Sequence, residues 1–410
     1  MAILHRTRTL PALMPRYVER FRCLGPTCED TCCASWPIHI DKKTYKAYRQ
    51  DSAPELGNIL SKSLVRTDHR LGSIAYAVIL PQGEEQKCPV MQDGLCGVHK
   101  DLGETYISDL CFTYPRLSRQ FQGQLEHTMT LSCPEAARLA LLAEDAMEFV
   151  ETRVAVREPM VQELALHPHI SPELMNEMRI FCLNLLRTRE LELWQRLALL
   201  GVFCENLAAY CTAGRHAELP ALLAQFIDLI ERGDLLASLN QIQPNRAAQA
   251  QVFATLWAAK GFETRSAFQQ GQIRTISAGL GANEYGQVDG AALVAAYGQG
   301  LARLEALLAD APYLLENYLA NEMFIHFFPF SAADAFNSYL HLVARFGLLR
   351  FLMAARCNAG AEPSISDLVS IVHVHCRRFQ HDSTYTQRTH DSLHESGWAS
   401  LDKLYSLLRT

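Results

Sequence analysis

Apolar residues follow two different rhythms along this chain. Up to about residue 130 the periodicity is short and broken. Pro37-Ile38-His39-Ile40-Asp41 alternates briefly like a strand, and Asp41 is placed to cap a helix built from Lys42 to Arg49. From Gly72 to Leu80, Ile74, Tyr76, Val78 and Leu80 share one face and predict a strand, closed by the turn residues Pro81-Gln82-Gly83. A second turn is predicted at Gln92-Asp93-Gly94. The rhythm changes at Ser132-Cys133-Pro134-Glu135, which has the Ser-x-x-Glu spacing of a capping box and a proline suited to a first turn. Ala136, Leu139, Ala140, Ala143, Met147 and Val150 then recur at helical spacing. Further helices are predicted near 172–188, 189–212, 220–232, 246–260, 288–309, 312–327, 332–356, 364–379 and 390–408. Pro172, Pro220, Pro312 and Pro363 stand near their starts, and Gly214, Gly233 and Gly261 near their ends. Gln269 to Gln287 carries four glycines and predicts a loop dividing the helical region.

The pattern predicts a mainly α protein: a small, irregular, cysteine-rich α+β domain over 1–133, then an all-helical region over 134–410. With 410 residues, 49% of them hydrophobic, the chain has ample material for a core, which excludes a disordered tail. A net charge of -6 supplies no basic field, so nucleic acid is not an expected partner. No run approaches about 18 apolar residues, so no membrane span is expected. The first 18 residues are rich in Arg and faintly similar to a transit peptide. Pro11 and Pro15 interrupt any secretory apolar core, and an irregular or extended start fits them better. A reducing cytoplasm is the expected compartment.

Composition changes the picture most at cysteine. Of 13 cysteines, eight fall in the first 133 residues: Cys23, Cys28, Cys32, Cys33, Cys88, Cys96, Cys111 and Cys133. Cys182, Cys204, Cys211, Cys357 and Cys376 are scattered and read as small buried hydrophobes. In a reducing compartment the clustered eight predict a metal site, and thiolates favour zinc or iron–sulfur clusters. Paired Cys-x2-Cys knuckles, a Cys-x2-Cys-x2-Cys run and a Cys-x3-Cys-x2-Cys motif are all absent; after Cys28 and Cys32 the last would need Ser35 to be cysteine. An unusual thiolate-rich centre remains. Cys133, opening a helix, is expected to be favoured as a thiolate by the helix dipole.

Met14-Pro15-Arg16-Tyr17, Phe21-Arg22-Cys23-Leu24-Gly25, Cys28-Glu29-Asp30-Thr31-Cys32-Cys33 and Trp36-Pro37-Ile38-His39-Ile40-Asp41 resemble the opening of the flagellin lysine N-methylase family. The resemblance continues through Cys88-Pro89, Gly94-Leu95-Cys96, His99 to Glu104, Ser108 to Cys111, Tyr114-Pro115-Arg116 and Ser132 to Glu135. It is thinner later, at Tyr318 to Asn321, Phe328-Pro329 and Arg378 to His381. It implies methyl transfer from S-adenosylmethionine to lysines of flagellin by a protein carrying a [4Fe–4S] cluster. The eight cysteines are then the cluster candidates, with Cys32 and Cys33 favoured from the first group. Tyr114 and Arg116 are candidates to order the cluster loop or to contact the donor's carboxylate. Tyr318, Asn321, Arg378 and His381 are candidates for the reaction itself.

The residues read alone show no methyltransferase. Gly279 to Gly286 is glycine-rich but follows no strand, so it reads as a loop and a Rossmann donor site is disfavoured. Two other readings stay open: a non-catalytic metal-stabilised adaptor or chaperone, and an electron-transfer iron–sulfur protein. Oligomeric state is not legible.

Overall fold

The computed structural model describes residues 4–67, 75–233, 236–264, 266–283 and 287–410. The chain forms two compact units: residues 1–139, 148–164 and 263–272 make the first, and 140–147, 165–262 and 273–410 the second.

The first unit is a mixture of small sheets and short helices. Its five-stranded sheet runs β10-β7-β8-β1-β9, with β1 at Arg8–Pro15, β7 at Arg116–Phe121, β8 at Gln124–Met129, β9 at Phe149–Val156 and β10 at Val161–Glu163. β1 pairs antiparallel with β9 along its whole length, from Arg8 opposite Val156 to Pro15 opposite Phe149. β7 and β8 form a hairpin whose two turn residues, Gln122 and Gly123, both take positive φ, as a primed two-residue turn requires. A second sheet, β2-β4-β3, joins Ile38–Ile40, Ala77–Ile79 and Leu64–Arg66. Helices α2 (Lys42–Asp51) and α3 (Pro54–Ser63) pack Tyr48, Leu56 and Leu60 onto Ile38, Ile40 and Ile79. The remaining short elements are β5 (Met91–Gln92), β6 (Leu95–Cys96), α1 (Tyr17–Arg20), α4 (Gly97–Leu102), α5 (Asp109–Thr113) and α6 (Pro134–Leu142).

Several expectations hold here. Asp41 caps α2 by accepting from Lys43 N–H at 2.8 Å and Thr44 N–H at 3.0 Å. Asp93 and Gly94 form the predicted turn between β5 and β6, both at positive φ. The expected strand exists as β4, while 72–74 lie outside the described residues. Two expectations are corrected. The first region, expected to be irregular, is organised around a five-stranded sheet, while its start is extended as expected, as strand β1. The helix expected to run to Val150 stops at Leu142, because Phe149–Val156 is taken up as β9, where burial alternates in the strand's second half.

The second unit is mainly helical: α7 (Pro172–Leu186), α8 (Leu193–Thr212), α9 (Leu219–Arg232), α10 (Leu236–Leu239), α11 (Arg246–Ala259), then the part of α12 (Ala267–Gly279) from Ile273 on, α13 (Gly290–Leu308), α14 (Leu314–Ile325), α15 (Ala335–Cys357), α16 (Ile365–His375), α17 (Ser383–Glu395) and α18 (Leu401–Leu408). Gly214, Gly233 and Gly261 take the left-handed conformation past α8, α9 and α11, as expected. The predicted glycine-rich loop is corrected: most of it is α12, and Gly279 is used for close contact instead, where a Cβ would lie 1.8 Å from the Ala355 carbonyl oxygen. The single helix expected over 390–408 is also two, since Gly397 breaks it at positive φ. Among the described residues no helix is long and apolar enough to cross a membrane.

α15 is the axis of this unit, and its neighbours approach it through glycine. A Cβ on Gly300 of α13 would lie 2.1 Å from the Ala354 carbonyl oxygen, and one on Gly201 of α8 would lie 2.6 Å from the Tyr339 ring. Gly300→Ala is therefore expected to destabilise the protein despite alanine's helix propensity. Overpacking against backbone costs about 1–3 kcal/mol, against a propensity gain of about 1 kcal/mol. Thermal unfolding should show a lower Tm than wild type; an equal or higher Tm would refute the contact.

Candidate functional site

The eight cysteines of the first unit come from five separate stretches of chain, and all eight line one cavity of about 600 Å3. Cys23 and Cys28 flank the turn Gly25–Thr27, whose Gly25 has φ +58°. Gly94, at the tip of the β5–β6 hairpin, packs on Pro26 of this turn, where a Cβ would lie 2.9 Å from Pro26 Cβ. That contact sets the hairpin carrying Cys96 against the loop carrying Cys23 and Cys28. The Cys33 carbonyl accepts from Cys88 N–H at 2.8 Å, joining the second cysteine stretch to the first. Trp36 Nε1 donates to the Cys32 carbonyl and its ring meets Tyr114 edge-on at 5.2 Å.

Cys111 sits in α5, whose cap Ser108 accepts from Cys111 N–H at 3.3 Å. α5 is held by Arg157, 1% exposed. Its guanidinium donates to the Ile107 carbonyl at 2.5 Å, the Glu104 carbonyl at 2.9 Å and Asp109 Oδ1 at 3.1 Å, and lies 4.1 Å from the Phe112 ring centre. Tyr114 Oη donates to the Ser132 carbonyl at 2.8 Å, which places Cys133 at the head of α6.

The thiols fall into two electrostatic neighbourhoods. Ionising Cys33 opposes ionisation of Cys88, Cys96 and Cys111, and Cys111 also responds to Cys88 and Cys96. Cys133 responds to Cys28 and Cys23. Cys32 stands between, hydrogen-bonded to Cys33 and responding to Cys111 and Cys133. Burial pushes Cys88 and Cys111 up to about 12 and Cys133 up to about 11. Cys111 opens to the cavity, yet protein encloses it on its other sides. The expectation for Cys133 is thus corrected: the N–H groups of Glu135 and Ala136 do pull its thiol down, but desolvation outweighs them.

Tyr114 and Arg116 both line the cavity. The Arg116 guanidinium lies 5.3 Å from the Phe21 ring centre, close enough to Cys23 and Cys133 to feel their charge. The cavity also has residues that sequence reasoning missed. His127 on β8 shares a 2.8 Å hydrogen bond between Nδ1 and Ser118 Oγ, and burial with the Arg116 charge lowers it to about 4, so it is neutral near pH 7. Asp30, also at the wall, accepts from Ser266 Oγ at 2.9 Å and Gln269 Nε2 at 3.3 Å. β8 is buried from Leu125 to Met129 on both faces, so periodicity does not reveal which residue reaches a cavity wall.

The four candidates of the helical unit lie elsewhere. Tyr318 and Asn321 are buried on α14, and Tyr318 Oη meets His375 Nε2 at 3.4 Å. Arg378, buried after α16, donates to the Gly261 carbonyl at 2.6 Å and lies 5.6 Å from the Trp257 ring centre. His381 is exposed just past that turn. The neighbouring Glu322, 1% exposed, accepts from Gln380 Nε2 at 2.6 Å, and this pair links α14 to the segment that carries Arg378 and His381.

Among the described residues, the groups with three ligand atoms all within 4.8 Å of one another are His167–Cys211–His216 and His5–Asp41–Asp109. The second is an internal network: His5 Nδ1 lies 3.2 Å from Asp109, which is also paired with Arg157.

Arg157→Met is expected to cost about 3 kcal/mol or more, since it strips two carbonyls of their donor and a half-buried carboxylate of one of its two partners. A lower Tm and faster alkylation of Cys111 should follow. A wild-type Tm with unchanged alkylation would show that Arg157 does not hold α5.

Residues 179–407 match the family model of the FliB lysine N-methylase C-terminal domain. Lysine-N-methylases of Salmonella typhimurium and Salmonella choleraesuis are each 23% identical to the chain over 391 residues, covering 92% of it and 93% of their own length. A flagellar biosynthetic protein FliU of Salmonella muenchen is 28% identical over 152 residues, 36% of this chain and 87% of its own. No solved structure matches the chain.

Proposed function

The chain belongs to the FliB lysine N-methylase family, and on that premise we propose that it transfers methyl groups from S-adenosylmethionine to lysine side chains of flagellin, with a [4Fe–4S] cluster held in the cysteine cavity. The observation that carries this reading is the gathering of all eight clustered cysteines, with Arg116, around one cavity.

The donor set fits such a cluster. Four thiolates complete it, and thiolate is the ligand iron–sulfur centres use. A single zinc ion in a tetrahedral thiolate site would bring its sulfurs to about 3.8 Å from one another. Among the described residues no three cysteine sulfurs lie within 4.8 Å of one another. In a cluster each thiolate binds its own iron, so wider spacing suits it. Cys33, Cys88, Cys96 and Cys111, which respond to one another, are the proposed ligands. Because burial raises the thiols of Cys88, Cys96 and Cys111, loading releases protons. When bound, the cluster supplies a centre able to exchange single electrons.

The chain's own residues supply the rest. Arg116 is placed to pair with the carboxylate of the donor's methionine portion. Phe21, Trp36 and Tyr114 offer ring faces, and Asp30, Glu104 and Glu135 carboxylates, to a sulfonium cation. The lysine must shed a proton, since its reference pKa is about 10.4, and an apolar cavity wall favours the neutral amine. Tyr318, Asn321, Arg378 and His381 enter the proposal as positioning residues of the helical unit.

Anaerobically purified protein should be brown and retain about four irons per chain. It should label flagellin on lysine from methyl-labelled S-adenosylmethionine. Iron-loaded protein that leaves flagellin unlabelled would refute the methylation. Serine at Cys33, Cys88, Cys96 or Cys111 should abolish iron retention, whereas Cys23→Ser should keep it. Arg116→Met should raise KM for the donor about 10- to 100-fold, the loss of one charged hydrogen-bonded contact, with iron and flagellin KM unchanged. An unchanged donor KM would remove Arg116 from the donor site.

A further inference from the structure

We propose that His167, Cys211 and His216, with His169 beside them, form a zinc-binding clasp in the helical unit. The ligand atoms of His167, Cys211 and His216 all lie within 4.8 Å of one another. The donors come from three places: His167 and His169 from the segment before α7, Cys211 from the last turn of α8, and His216 from the short turn His216–Glu218. A bound ion would tie these three pieces of backbone together. His167 Nδ1 accepts from the His169 backbone N–H at 3.3 Å, which folds this His-x-His segment back on itself. The His169 ring then stands 4.9 Å from that of His216, and the His167 ring 5.5 Å from it.

Neighbouring donors around tetrahedral zinc stand about 3.4–3.7 Å apart. Closing the group requires shifts of about an ångström, and the half-buried side chains of His167, Cys211 and His216 have room to rotate. The set contains nitrogen and sulfur and no carboxylate, which suits zinc and disfavours magnesium or calcium. His167 is held below the ordinary histidine range by burial, His216 and His169. Arg215, the cation next to His216, is neutralised by its own turn, with Nε and Nη2 on the Glu218 carboxylate at 2.8 and 2.5 Å.

Cys211 also differs from the other late cysteines. Cys182, Cys204, Cys357 and Cys376 are buried, as a small hydrophobe should be, whereas Cys211 is half-exposed. Four residues separate Cys211 from His216, the spacing Cys-x4-His, and the His-x-His segment brings His169 beside His167.

The test compares the full chain, anaerobically loaded with iron, with its Cys211→Ser/His216→Ala variant after equilibration with zinc chloride and desalting. Wild type should retain about one more zinc per chain than the variant, with equal iron in both. X-ray absorption at the zinc edge should show one sulfur and two or three nitrogen neighbours. Equal zinc in the two proteins, or a zinc shell of sulfur alone, would overturn the proposal. His167→Gln, which changes a single loop residue, guards against misfolding of the double variant. Zinc should raise the Tm of wild type and not that of His167→Gln; an equal rise in both would likewise overturn the clasp.

Discussion

A guanidinium with almost no water around it shapes the cysteine cavity. Arg157 follows directly on β9, so the ladder between β1 and β9 decides where it stands. From there it reaches two carbonyls and Asp109 at the start of α5, and covers the Phe112 ring. A buried guanidinium is tolerated only where its donors are met, so this segment has little freedom to take another path. The consequence spreads. α5 carries Cys111, Tyr114 ties α5 to Ser132 and hence to Cys133, and Trp36 on Tyr114 ties in Cys32. Thiol positions are thereby set by sheet register, through contacts that involve no cysteine side chain.

The helical unit solves a different problem. Its long central helix is buried almost from end to end, and glycines on α8 and α13 let neighbouring backbones approach it. One buried carboxylate is met by two arginines. Glu316, 5% exposed, accepts from Arg196 at 2.7 Å and Arg189 at 2.8 Å, while Arg196 also serves the Leu186 and Leu191 carbonyls. Such networks stabilise weakly for their size, but an arrangement that broke one would strand a charge in the core.

Local signals were legible where the physics is local. Asp41 caps α2 because a carboxylate next to two free N–H groups needs nothing from the rest of the fold. Asp93-Gly94 turns because both residues tolerate positive φ, and glycines end α8, α9 and α11 for the same reason. The misreadings share one cause. Helical spacing continued from Ala136 to Val150, yet β1 claims Phe149–Val156 as a partner. Four glycines suggested a loop at 269–287, yet Gly279 is small because the Ala355 carbonyl stands against it. Pairing partners and backbone approaches are not written in a window of neighbouring residues.

The candidate site divides along the same line. Cysteine count and clustering, and the flanking residues that carry the family resemblance, are properties of the chain itself: eight thiols in one stretch are a donor set whatever the fold. Their convergence on one cavity, the sorting of Cys33, Cys88, Cys96 and Cys111 from Cys23, Cys28 and Cys133, and the presence of Arg116 and His127 at the wall are decided by tertiary structure. So is the separate meeting of His167, Cys211 and His216. Composition determines which atoms can bind a metal; only the packing of distant segments determines which of them stand near enough to share one.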